Sequence, residues 1–224
     1  MTFPVRWVPS NRRPAGVFRV LVVCTGNICR SPLGEQLVRA RVPAAFGRST
    51  IAALEVTSAG THALVAAPMD PYSAIEAARL GARDAEAHRA QQLRRRDVAA
   101  ADLVLTMERS HRGEVQRLAP RDAERVFKLG EFSAVIDRLA CDPTLHQIPP
   151  LGADGFAAFM RRVVNAADHG RDLARLSGTL DVEDPYRRSA DVYRRSADAI
   201  DRHVARIATS LVALAGPRAA GSGA

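Results

Sequence analysis

The chain has 224 residues, room for one ample hydrophobic core rather than two. Its residues are 47% apolar, as in an ordinary globular protein, and no apolar stretch nears the roughly 18 residues of a membrane helix. The net charge of +8 is carried almost wholly by arginine, which suits planar oxyanions; acids interleave the basic blocks, so these read as solvated faces rather than a nucleic-acid patch.

The start, "MTFPVRWVPSNRRPAGV", is basic but has no apolar stretch of its own, and it reads as neither a secretory nor a membrane signal. Together with three cysteines that cannot all pair, this points to a reducing cytoplasm rather than a disulfide framework. Residues 1–16 and 217–224 are expected to be mobile ends around a single domain at 17–216.

"FRVLVV" (18–23) is a β-branched run with the look of a buried strand. "SPLGEQLVRARV" (31–42) follows with helical spacing, Leu33, Leu37, Val38 and Val42 on one face, Ser31 as its cap and Pro32 in its first turn. A second strand is expected at 54–60. A helix follows over 70–81, capped by Asp70, opened by Pro71 and closed by Gly81. A strand at 101–107, a helix at 108–120 and a strand at 124–129 complete the alternation. Beyond residue 130 only helices are expected: 130–140, then 152–176 with a break at Gly170, then 185–215. Short strands that are apolar on both faces and alternate with helices predict a three-layer α/β fold. Its four-stranded parallel sheet would be flanked by helices, in flavodoxin-like topology. "YRRSAD" occurs at 186–191 and again at 193–198, an offset that would put both copies on one helix face as a charged stripe.

"CTGNICR" stands between the first strand and the first helix. Backbone N–H groups of such a turn can wrap one anion at a helix N-terminus. Gly26 and Asn27 would supply the unusual dihedrals. Arg30 adds a fork matched to two phosphate oxygens, and the same positive surroundings would favour the Cys24 thiolate. Residues Thr25, Gly26, Asn27, Ile28 and Cys29 would then cradle a tetrahedral phosphorus beside the nucleophile. Ligands of open α/β sheets bind at this position, beyond the strand ends.

"VCTGNICRSP" resembles the active-site loop of the low-molecular-weight protein tyrosine phosphatases, C-x5-R-S/T-P. "TSAGT" (57–61), "PMDP" (68–71), "HRAQQL" (88–93), "ADLVLTMERSHR" (101–112) and "DPY" (184–186) extend the likeness, whereas 133–180 matches poorly and reads as a helical insertion before the last helix. The resemblance implies phosphomonoester hydrolysis through a cysteinyl-phosphate, with protein phosphotyrosine the first substrate to consider and neither metal nor cofactor required. It also implies a network of Asn27, Ser31, Ser58 and His88 under the loop.

Expelling the leaving oxygen calls for an acid. Asp70-Pro71-Tyr72 and Asp184-Pro185-Tyr186 both offer one, and both can equally be helix caps. The resemblance assigns the acid to Asp184 and makes Tyr186 a wall of the pocket. Two departures are plain: no aromatic follows "SAGT", and Arg187 follows "DPY" where the family often has tyrosine. Cys29 can serve as a disulfide partner for an oxidised Cys24 or as a packing residue. Cys141 reads as structural, and His62, His111, His146, His169 and His203 show no metal-ligand spacing. Two other functions fit the loop: arsenate reduction, for which the only thiol beyond the loop is Cys141, and phosphate or nucleic-acid binding without catalysis.

Overall fold

Four short strands form the sheet among the described residues: β1 (Phe18–Cys24), β2 (Leu54–Gly60), β3 (Leu103–Thr106) and β4 (Val126–Lys128). The computed structural model describes residues 16–47, 52–82, 84–145, 148, 151, 154–176 and 180–216. The strands are all parallel, in the order β2-β1-β3-β4, so the expected α/β architecture is present. The ends expected to be mobile, apart from Gly16, lie outside the described residues.

Strand periodicity sends alternate residues to opposite faces. Phe18, Val20, Val22 and Cys24 of β1 enter the larger core, whereas Leu21 and Val23 enter a smaller one. The larger core is closed by α1 (Arg30–Phe46), α5 (Leu129–Cys141), α6 (Gly155–His169) and α7 (Ala190–Ala215). The smaller core lies under α3 (Arg95–Ala100) and α4 (Arg109–Leu118). A further helix, α2 (Pro71–Arg79), packs beside α1 and α7. At Gly34 in α1 a Cβ would stand 2.9 Å from Met107 and 3.2 Å from Val22, so the helix lies almost on the sheet. The stretch 133–180, read from the sequence as an insertion, holds most of α5, all of α6 and a 3₁₀ turn at Arg171–Leu176.

Three local expectations are corrected. Ser31 does not cap α1: the N-cap is Cys29, and the Ser31 hydroxyl is engaged beneath the loop. The last helix begins at Ala190 rather than 185, so Asp184 caps no helix, although its carboxylate accepts from the Tyr186 N–H at 3.3 Å. Asp70 does cap α2, accepting from the N–H groups of Tyr72 and Ser73. The two "YRRSAD" copies do not share a helix face, because Tyr186 to Ser189 of the first precede α7, which only its last two residues enter, whereas the second lies within it.

The core around α5 rests on Phe132, fully buried with its ring edge-on to Phe127 at 5.3 Å. Removing that ring leaves a cavity that the parallel sheet cannot close. Phe132→Ala should lower the unfolding free energy by about 3–5 kcal/mol in denaturant titration. A loss below 1 kcal/mol would show that the site repacks.

Candidate active site

β1 ends at Cys24 and α1 begins at Arg30, leaving five residues to reverse the chain. Every carbonyl from Cys24 to Ile28 is turned outward and held there. Those of Cys24, Thr25 and Gly26 accept from the N–H groups of Thr61, His62 and Leu64 at 2.9, 3.0 and 3.0 Å. That of Asn27 meets His88 Nε2 at 2.7 Å, and that of Ile28 accepts from the Asp70 N–H at 2.8 Å. A planar trans peptide whose carbonyl points out points its N–H in. The amides of residues 25–29 therefore converge on one concavity, the form of an anion nest. Gly60 permits this close approach, since a Cβ there would stand 2.4 Å from the Thr25 carbonyl oxygen.

The turn is strained at one residue. Of the two residues expected to supply unusual dihedrals, Asn27 does so, with φ +55° in the left-handed region, whereas Gly26 does not. Its side chain is fully buried and lies behind the loop rather than in the cleft. Asn27 Oδ1 accepts from the Gln91 N–H at 2.8 Å, which fixes the amide orientation. Nδ2 then donates to the hydroxyls of Ser31 and Ser58, each at 2.9 Å. Ser58 donates its own proton to Glu35 at 2.6 Å. The Ser31 proton is left for Cys24 Sγ, 3.0 Å away.

Cys24, Thr25, Gly26, Ile28, Cys29, Arg30, His62, Leu64, Asp184 and Tyr186 line a cleft of about 230 Å³. Arg30 is 2% exposed. Its Nη1 donates to Glu108 at 2.7 Å and to the Val182 carbonyl at 3.1 Å, and its Nη2 stands 3.1 Å from Asp184. Burial alone would raise the Glu108 carboxyl, but the Ser110 hydroxyl and the Arg30 guanidinium outweigh it and hold it below the usual carboxylate range. His111 is fully buried, with Nε2 2.8 Å from the Thr25 hydroxyl. Burial first, and then the Arg30 charge, push its imidazole below the ordinary 6.5.

Comparison with known proteins bears on this assembly. Residues 19–164 match the family described as low molecular weight phosphotyrosine protein phosphatase. The chain belongs to this family. Over 113 residues it is 42% identical to "Probable low molecular weight protein-tyrosine-phosphatase EpsP" of Ralstonia nicotianae, covering 50% of this chain and 71% of that one. Over the same length it is 39% identical to the low molecular weight protein-tyrosine-phosphatase Etp of Escherichia coli, covering 50% and 70%. Among solved structures, Vibrio vulnificus Wzb in complex with benzylphosphonate is 25% identical, with a TM-score of 0.59 over 87% of this chain and 99% of that one.

In this phosphatase the cleft is walled by Tyr186, 39% exposed, and by Leu64, 46% exposed. Cys29 is buried with Ile28, Ala90 and Tyr193, and burial pushes its thiol up to about 12. Asp70, the rival acid, is committed to α2 and to the Tyr193 hydroxyl, and it does not line the cleft. Cys141 lies exposed at the end of α5, away from the loop. His146 is outside the described residues.

Sequence reasoning missed Glu108, His111, Glu35 and Gln91. The first two had a signal: Glu108 stands two residues beyond β3, neighbour of β1 in the sheet, and His111 stands one helical turn further on. Glu35 and Gln91 act only through other side chains, which no spacing reveals.

His111 and His203 both carry depressed pKa values, each chiefly from burial. The unfolded chain, titrating near 6.5, then binds more protons than the folded one as pH falls. Stability is thus fully present above that value and lost on acidification through it. The melting temperature should fall between pH 7.5 and 5.5, and His203→Gln should reduce the fall. A flat profile for the wild type over that range would contradict these shifts.

Proposed function

We propose that the protein hydrolyses phosphomonoesters, protein phosphotyrosine foremost, through a cysteinyl-phosphate on Cys24. The observation that carries this reading is the meeting of Cys24 Sγ, the inward amides, Arg30 and Asp184 in one cleft. The Cys24 thiolate attacks phosphorus and the bond to the ester oxygen breaks, with the loop amides and Arg30 holding the three non-bridging oxygens. Asp184 gives its proton to the departing oxygen, then takes one from the water that cleaves the S–P bond and releases phosphate. Ser31, fixed as a donor through Asn27, supports the sulfur as nucleophile and again as leaving group. The benzylphosphonate held by the Vibrio relative supports an aryl group above the phosphate, where Tyr186 and Leu64 would flank it.

The contact of Asp184 with Arg30 has a kinetic meaning. A dianion in the nest competes with the Asp184 carboxylate for Nη2, so the carboxyl best able to leave the guanidinium is the protonated one. That is the form in which it can act as acid. Glu108 stays on Nη1 and keeps the fork in plane.

We further read the protein as cytoplasmic, since a nucleophilic thiol with a second thiol five residues on suits a reducing compartment. No helix among the described residues is long and apolar enough to cross a membrane.

Cys24→Ser should abolish turnover of an aryl phosphate in stopped assays, with a chelator leaving the wild type unaffected; full activity in Cys24→Ser would refute the mechanism. Asp184→Asn should slow alkyl phosphates and poor aryl leaving groups by about 10²–10⁴-fold and activated esters far less. The same variant should bind inorganic phosphate more tightly by competition assay, because Arg30 loses a rival anion. Equal slowing of good and poor leaving groups would remove Asp184 from the acid role.

A further inference from the structure

Leu64 lines the cleft and, with its neighbour Val65, is exposed and apolar. His62, also in the lining, faces Glu114. Above Tyr186, which lines the cleft too, the Arg187 guanidinium lies over the ring, 5.1 Å from its centroid. Arg187 is exposed, and no side-chain hydrogen bond or ion pair engages it among the described residues; the same is true of Arg188. The nearby carboxylates are otherwise committed: Glu183 to Arg195 at 3.1 Å and Asp184 to Arg30 at 3.1 Å. Asp191 opens α7 and remains exposed.

Arg187 is also held in place. Its φ of +59° is a left-handed conformation that arginine rarely adopts unless its surroundings impose it. They do so here. The Arg188 N–H bonds the Pro185 carbonyl at 2.9 Å, closing the turn. The ring of Tyr193, 3% exposed, is buried beside Ile28 and Cys29, with its hydroxyl turned toward the Asp70 carboxylate and the Arg187 main chain. The second "YRRSAD" tyrosine thus lies next to the arginine of the first copy, and that arginine rests on the ring that walls the cleft.

Resting on the phosphotyrosine reading above, we propose that Arg187 is a specificity-determining residue, selecting phosphotyrosyl segments that carry aspartate or glutamate beside the phosphorylated residue. With the aryl ring between Tyr186 and Leu64, the flanking residues of an extended peptide lie across the rim. A carboxylate there meets a guanidinium already oriented by an aromatic face, so little ordering entropy is lost. A lysine there meets repulsion.

The test compares kcat/KM for two phosphotyrosyl peptides that differ only in having glutamate or glutamine on both sides of the phosphotyrosine, at low ionic strength. The wild type should favour the acidic peptide by about three- to tenfold, an ion-pair effect that shrinks as salt is added. Arg187→Gln should bring the ratio close to one and Arg187→Glu should invert it. Arg202→Gln, which removes an equal charge from an exposed position along α7, should leave the ratio as in the wild type. An unchanged ratio in Arg187→Gln, an equal loss in Arg202→Gln, or a wild-type ratio of one with full activity on p-nitrophenyl phosphate would each overturn this inference alone. A wild type inert on p-nitrophenyl phosphate would overturn the phosphatase reading as well.

Discussion

A single buried amide holds the chemistry of this protein in shape. Asn27 adopts a left-handed backbone, which asparagine tolerates better than most residues that carry a Cβ. Its side chain is satisfied at Oδ1 by Gln91 and at Nδ2 by Ser31 and Ser58. Its own carbonyl is held by His88. These bonds bind the turn to β2, to α1 and to the segment before α3 at once. With the turn so fixed, five carbonyls face outward and their partner amides have no choice of direction. The nest therefore exists before any anion arrives, and binding need not pay to assemble it.

Arg30 shows the same preparation in electrostatic form. A guanidinium this deeply buried is tolerable only where anions meet it. Glu108 and the Val182 carbonyl meet Nη1, and Asp184 meets Nη2. The first two partners come from just beyond β3 and from the chain just before Asp184, so the charge is fixed by parts that sit far apart in sequence. The half that faces Asp184 is held by a side chain that is half exposed.

The sheet, its order and the helices on both faces were legible because short two-sided apolar runs alternate with amphipathic ones. The loop was legible because its residue types are constrained one by one: a thiol at the strand end, an arginine at the helix start, and a residue between them tolerant of positive φ. Of the two residues that could take that φ, Asn27 does so and Gly26 does not, because the side-chain bonds of the asparagine compensate for its Cβ. Asp70 and Asp184 could not be separated by local pattern, since both precede proline and tyrosine. What separates them is tertiary: one lies against a helix N-terminus and a buried tyrosine, the other against Arg30. Glu35 and Gln91 were invisible because their work is to position groups that themselves touch no substrate.

Tyr193 has a wider consequence. One aromatic side chain packs on Ile28 and Cys29 from below, lies 5.2 Å from the ring of Tyr72 in α2, and meets the main chain at Arg187. The base of the catalytic depression and its upper lip thus share one mechanical fastening. A sliding of α7 along its axis would disturb the anion nest and the proposed Arg187 platform together. If both roles hold, reactivity and discrimination are not separately adjustable, and a lineage altering the one would be expected to drift in the other.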